Sequence, residues 1–156
     1  MLLRLAPPLQ VSVWFNVTEP LTLLALRGSV VVLHAFQMGC PGCIQLATPQ
    51  AQHIHEIFAA ADVKVIGLHS VFENHATMTP DALAKFIAER GLTFPIAVDE
   101  PDGENGIPLT MKALALDGTP SLVLLDRAGR IRMKRLGHIP DLELGAAIAT
   151  LAAESG

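Results

Sequence analysis

Seven consecutive residues, Val30-Val31-Val32-Leu33-His34-Ala35-Phe36, are apolar except for His34, and the chain then runs through a short loop into Cys40-Pro41-Gly42-Cys43. A run this rich in β-branched side chains predicts a strand covered on both faces, hence one in the middle of a sheet. Downstream, Ile44, Ala47, Ala51, Ile54 and Phe58 recur at spacings of three and four, the apolar stripe of a helix predicted over about 41–60. Pro41 suits the first helical position, where its missing N–H would be unpaired anyway. Pro49 lies inside the stripe and predicts a kink. Both sulfurs therefore fall at the first turn of a helix that leaves a buried strand.

That placement bears directly on thiol chemistry. A free thiol titrates near 8.5, so few are nucleophilic at neutral pH. A sulfur at the N-cap faces unpaired N–H groups and the positive end of the helix dipole, which favour the thiolate. Cys40 is predicted in that position, and Cys43 one turn along and deeper. The expected division of labour is Cys40 as the attacking thiol and Cys43 as the resolving thiol. Pro41 and Gly42 constrain the turn between them.

These are the only two cysteines, so none is left for a structural bridge. A zinc site needs four ligands, and only His53 and His55 could add to the pair. They lie two to three turns along the same helix with rings directed apart. No metal site is predicted, and the redox-active pair is the only prosthetic chemistry expected.

The remainder of the chain reads as one domain over 1–156. Its 51% apolar content supports a packed core, and its net charge of −4 gives no bias toward nucleic acid or anionic membrane. No segment approaches the ~18 apolar residues of a membrane span. The N-terminus has one positive charge and an apolar run broken by Pro7 and Pro8, a poor secretory signal, so a cytoplasmic location is expected.

Alternation of Val11, Val13 and Phe15 predicts a strand over 10–15 within an N-terminal extension of 1–20. Further strands are predicted at 63–68, 95–98, 122–125 and 130–136. Helices are predicted from Thr79 and Pro80 to a stop at Gly91, over 108–115, and over 141–153. A loop rich in acid, Gly and Pro covers 99–106. Helices between consecutive strands imply parallel pairing, and the turn at 126–129 adds an antiparallel hairpin at one edge. The expected architecture is α/β, a mixed central sheet flanked by helices on both faces.

Three stretches resemble the TlpA/ResA-like thiol-disulfide oxidoreductases of the redoxin (AhpC/TSA-related) group, which have the thioredoxin fold. They are residues 24–33 leading into the central strand, the motif Cys40-Pro41-Gly42-Cys43, and residues 117–131 around Thr119-Pro120. The resemblance implies reduction or exchange of disulfides in a protein substrate, with a dithiol electron donor as second partner. It implies a cis bond before Pro120, a Thr119 backbone that pairs with the bound substrate, and Gly137 lining the same groove. It also implies an insertion after the central β-α-β unit, here around 71–79 with His75 and Met78. His34 replaces the buried acid or amide that such proteins carry six residues before the first cysteine. It is either the acceptor of the Cys43 proton or a neutral core histidine.

Departures are as informative. Gly39 replaces the usual tryptophan beside the first cysteine, Phe36 stands where another tryptophan is common, and Leu46 replaces an assisting acid. Gln37 and Leu33 stand where a thiol peroxidase needs Thr or Ser and Pro, which disfavours that alternative. A Cu(I)-binding module drawing on Met38, Cys40, Cys43 and His69 is the other alternative. His69 and His75 are expected to be solvated loop residues, and Arg127, Arg130, Arg132, Lys134 and Arg135 a solvated edge that discourages strand addition.

Overall fold

The computed structural model describes residues 2–103 and 106–155. Glu104 and Asn105, within the loop expected over 99–106, lie outside them, as do Met1 and Gly156. Six strands form one mixed sheet: β1 Val11–Phe15, β2 Val30–Phe36, β3 Val63–His69, β4 Ile96–Asp99, β5 Ser121–Leu125 and β6 Ile131–Leu136. Their spatial order is β1-β4-β3-β2-β5-β6. β2, β3 and β4 run parallel, while β1, β5 and β6 pair antiparallel with their neighbours. Every residue of β2 is buried, as its apolar run predicts.

Four α-helices among the described residues complete the fold: α1 Thr48–Ile57, α2 Pro80–Arg90, α3 Leu109–Ala113 and α4 Asp141–Ala153. Val30, Val32 and Phe36 face a core shared with α1, α2 and α4 through Ala51, Ile54, Leu83, Ile87, Leu144 and Ile148. Val31, Leu33 and Ala35 face the opposite core, closed by Met111 of α3, by Leu114 and Leu116, and by the N-terminal segment through Leu9, Trp14, Leu21 and Leu26. This is the thioredoxin-like arrangement, with an extra strand contributed by the N-terminal extension.

Local signals read from the sequence have physical counterparts. Thr79 caps α2 by accepting from the Ala82 N–H at 3.2 Å, and Gly91 ends it in the left-handed region at φ 63°. Pro49 stands at the start of α1, preceded by a widened turn rather than by regular α-helix. A π turn over Cys43–Ala47 precedes α1, and the Thr48 N–H reaches back five residues to the Cys43 carbonyl. The wider turn accommodates a proline ring that would otherwise meet the carbonyl four residues back.

The strand expected over 10–15 is observed as β1, with Val13 36% exposed next to a bulge between Val11 and Val13 while Trp14 and Phe15 pack into the two cores. Two expectations are corrected. His69 belongs to β3 and is buried, because the strand runs one residue past its last apolar side chain. The hairpin cations are not a free solvated edge. Arg130 and Arg132 pair with buried Asp126 at 2.9 and 3.2 Å, Arg132 also with Glu154, and Arg135 with Glu143. Arg127 and Lys134 donate to backbone carbonyls. The chain before β1 shields the hairpin, with the Ile131 N–H donating to the Arg4 carbonyl at 2.8 Å.

Gly67 sits where β3 passes beneath the aromatic layer. A Cβ there would lie 2.8 Å from Phe94 Cε2, 3.0 Å from Ile96 Cγ1 and 3.2 Å from Phe36 Cε1. None of these ring or strand atoms can withdraw without displacing the core. Gly67→Ala is expected to destabilise the fold by about 1–3 kcal/mol through overpacking. Urea denaturation measures this, and an unchanged midpoint would show that the layer yields freely.

Candidate active site

The end of β2 and the start of β5 lie side by side, with Ala35 paired to Ser121. The loop leaving Phe36 therefore faces the loop that enters β5. The Thr119–Pro120 peptide bond is cis, as the resemblance implies. The Cys40 thiol lies 3.6 Å from the Thr119 carbonyl oxygen, to which it can donate. Gly42 approaches the Pro120 ring so closely that a Cβ would stand 3.5 Å from its Cδ. Gly137, at φ 91°, donates its N–H to the Pro120 carbonyl at 2.8 Å and holds the same loop from beneath.

Both cysteines are thiols, and they differ in environment. Cys40 is partly exposed and Cys43 fully buried. The Ile44 N–H donates to the Cys40 carbonyl at 3.0 Å, so Cys40 closes the first helical bond and stands at the cap. Burial pushes the Cys43 thiol up to about 12, reinforced by its hydrogen bond to Cys40 and by like charge on that sulfur. The backbone of Gln37 and the Thr119 side chain act in the opposite sense.

His34 lies on the same face of β2, below this pair. Its Nε2 and Thr48 Oγ1 are hydrogen-bonded at 3.0 Å, and its ring stacks on Phe36 with centroids 4.9 Å apart. It lines one small cavity with Pro120 and Gly137. Burial lowers its pKa to about 3, so the ring is neutral at physiological pH. No hydrogen bond joins it to either cysteine among the described residues, an arrangement that suits the core-histidine alternative.

Residues without any motif signature complete the site. His69 Nε2 accepts from the Met38 N–H at 3.1 Å, which orients the segment just before Cys40. Burial lowers the His69 pKa to about 4, keeping the acceptor lone pair free. Buried Gln37 bridges two loops. Its Oε1 accepts from the Phe72 N–H at 3.1 Å, and its Nε2 donates to Thr119 Oγ1 at 3.2 Å. A glutamine after an apolar strand reads as an ordinary loop residue, so nothing in the sequence marks it. Met78, from the insertion, lies 3.4 Å from where a Gly39 Cβ would be and occupies the space beside Cys40.

Among the described residues no three His, Cys, Asp or Glu side chains converge as a metal site. His53 is exposed, while His55 packs edge-on to Phe94 with centroids 6.3 Å apart. No helix among the described residues is long and apolar enough to cross a membrane.

Known proteins place this geometry in a family. The Redoxin family model matches residues 16–148. No curated protein matches the sequence. Among solved structures, a thioredoxin-like superfamily protein shares 47% identity at a TM-score of 0.94, with 97% of this chain and 98% of that one covered. A thiol-disulfide isomerase from Corynebacterium glutamicum shares 50% identity at a TM-score of 0.90, with 96% and 98% covered. A candidate thiol:disulfide interchange protein DsbE from Chlorobium tepidum, 21% identical with 97% of each chain covered, has a TM-score of 0.76 and supports the fold alone. The chain belongs to the Redoxin family and has the thioredoxin-like oxidoreductase fold.

The two buried imidazoles make stability depend on pH. Each has a folded pKa below its unfolded value of 6.5, so below that pH the unfolded chain binds more protons. Their contribution is complete above about pH 6.5 and is lost as the pH falls toward 4 and then 3. Between pH 7 and pH 5 each histidine should remove about 2 kcal/mol of stability. His34→Leu should retain only about half of this slope in urea titrations. An unchanged slope would mean that the His34 pKa is not depressed.

Proposed function

We propose that this member of the Redoxin family uses Cys40 and Cys43 as a dithiol pair to reduce or exchange disulfides in protein substrates. The observation that carries the reading is the asymmetry of the two sulfurs. One is partly exposed beside the cis-Pro120 loop, and the other is buried directly behind it.

The Cys40 thiolate attacks one sulfur of the substrate disulfide. A Cys40–substrate bond forms, the substrate S–S bond breaks, and the other substrate sulfur leaves as a thiolate that takes a proton from water. Cys43 then loses its proton to water and attacks Cys40 Sγ, closing the Cys40–Cys43 disulfide and expelling the second substrate thiolate. The substrate gains two electrons and the pair loses them. An external dithiol donor returns them, and in a reducing cytoplasm that donor keeps the pair ready for reduction.

Thr119 and Pro120 form the wall against which an extended substrate segment is read, with Gly137 supporting the loop. His34 serves as a neutral packing and hydrogen-bonding group. A base with a pKa near 3 offers almost no driving force to take a proton from a thiol near 12.

The peroxidase alternative gains nothing from the geometry, since the Gln37 side chain is bound at both ends. The copper alternative requires His69, whose Nε2 is already bonded to the Met38 N–H.

Cys43→Ser should accumulate a covalent complex with a disulfide-containing protein such as insulin, visible on non-reducing gels and released by dithiothreitol. Cys40→Ser should form none and should lose at least ~100-fold of insulin-reductase activity, the loss expected when the attacking nucleophile is removed. Retention of activity by Cys40→Ser would overturn the assignment.

A further inference from the structure

The loop that carries Thr119 and Pro120 is bonded on one side to its own hairpin. The Ser121 hydroxyl donates to the Gly118 carbonyl at 2.7 Å, and the Gly137 N–H donates to the Pro120 carbonyl at 2.8 Å. Ser121 begins β5 and Gly137 follows β6. Among the described residues, two hydrogen bonds cross from this loop to the one that leaves β2. The first is from the Cys40 thiol to the Thr119 carbonyl oxygen, at 3.6 Å. The second comes from the Gln37 side chain, and its sense is fixed. The Phe72 N–H can only donate, so the group it meets at 3.1 Å is Oε1. Nε2 is therefore the end that donates to Thr119 Oγ1, at 3.2 Å. Gln37 is 1% exposed, so losing either bond would leave a buried polar group bare.

We propose that Gln37 is a positioning residue for substrate capture, holding the Thr119 backbone ready to pair with an extended polypeptide segment beside the substrate disulfide. The inference rests on the dithiol reading above and deepens it, by naming what fixes the wall before the substrate arrives. Among the described residues no hydrogen bond engages the Thr119 N–H, and the Thr119 carbonyl meets only the Cys40 thiol. Both backbone groups are thus open to an incoming strand. A segment with an unpaired backbone must be ordered when a partner binds, and anchoring its side chain beforehand lowers that cost.

The thiol bond cannot supply this anchor. It needs a proton that the Cys40 thiolate and the mixed disulfide both lack. The Gln37 bond depends on no proton of Cys40 and persists through the reaction. Gln37 is bonded to the nucleophile as well, because its carbonyl accepts from the Cys40 N–H at 3.0 Å. One residue therefore sets the distance between the attacking sulfur and the wall. Through Phe72 it also ties both to the insertion, whose Met78 borders Gly39. Replacing the side chain keeps the backbone bond to Cys40 and removes only the bonds to the wall and to the insertion.

The test compares two substrates of the reduced full chain. Insulin presents polypeptide beside its disulfides, and dithiobis(nitrobenzoate) presents none. Insulin reduction is followed at steady state with dithiothreitol as the electron donor, and the aromatic disulfide by stopped flow. Gln37→Met has the same length but no group for either partner. It should lower kcat/KM for insulin about tenfold, carried by KM rather than kcat, while its rate constant with dithiobis(nitrobenzoate) stays within about twofold of the parent's. Thr119→Val should show the same loss with insulin, and Thr119→Ser, which keeps the hydroxyl, should recover it. The Gln37→Met/Thr119→Val double variant should be no weaker than either single.

Equal losses with both substrates, a loss carried by kcat at constant KM, parental insulin kinetics in Gln37→Met, or multiplicative effects in the double variant would each overturn the inference while leaving the dithiol reading intact. A parent chain that does not speed insulin reduction beyond dithiothreitol alone would instead refute the dithiol reading and this inference with it. If Gln37→Met does not fold, Gln37→Asn decides the matter. It is one methylene too short to span both partners, so it should raise KM for insulin alone, and a parental KM would overturn the inference.

Discussion

The antiparallel pairing of β2 with β5 is the constraint on which the site depends. It sets Val31 against Leu125, Val32 against Leu124, Leu33 against Val123, His34 against Leu122 and Ala35 against Ser121. Val31, Leu33, Val123 and Leu125 share one core, and Val32, Leu122 and Leu124 the other. A slip of one residue would move every side chain to the wrong core and take His34 away from Thr48. Because both strands are buried on both faces, neither core tolerates that slip. The register brings the Cys40 loop and the Thr119–Pro120 loop, distant in sequence, into contact over the two sulfurs.

Much of this was legible in the sequence, for reasons that differ from element to element. The apolar run of β2 could only be central, and the stripe after Cys43 could only be a helix lying against it. The cap at Thr79 and the stop at Gly91 are local chemistry, complete within a few residues. What escaped needed partners far along the chain. His69 follows the last apolar residue of β3, so periodicity assigns it to a loop, yet the Met38 N–H and the Phe36 ring draw it inside. Gln37 acquires a role only through Phe72 and Thr119. Arg132 and Arg135 find acids on α4 and just beyond it, which no inspection of the hairpin could supply. Pro49 was visible as a disturbance, but whether a helix breaks, kinks or widens depends on how the turn above it can move.

Four buried polar groups lie at the C-terminal ends of the parallel strands. Gln37 follows β2, His69 ends β3 and is followed by Ser70, and Asp99 ends β4. The Asp99 carboxylate accepts from the Ser70 hydroxyl and from the Thr110 and Met111 N–H groups at 2.8–2.9 Å. Burial raises its pKa against those bonds. Among the described residues no buried side-chain polar atom lacks a partner. A low-dielectric network satisfied in this way penalises alternative arrangements strongly, since any shift leaves a donor or acceptor bare. The loops that carry the chemistry are thus held by directional bonds, while the sheet beneath them is held by packing.

The same directional bonding bears on timing within the dithiol scheme. Burial is the largest influence holding the proton on Cys43, and the next comes from Cys40, through its hydrogen bond and its charge. Burial is permanent, whereas the influence of Cys40 lasts only while Cys40 is a free thiol or thiolate. Once its sulfur is bonded to a substrate, both of those contributions vanish, and the opposing Gln37 backbone and Thr119 hydroxyl remain. In the proposed scheme the resolving thiol is thus restrained while Cys40 is free and eased once Cys40 is bonded to a substrate, because the group that restrained it is the group that has reacted.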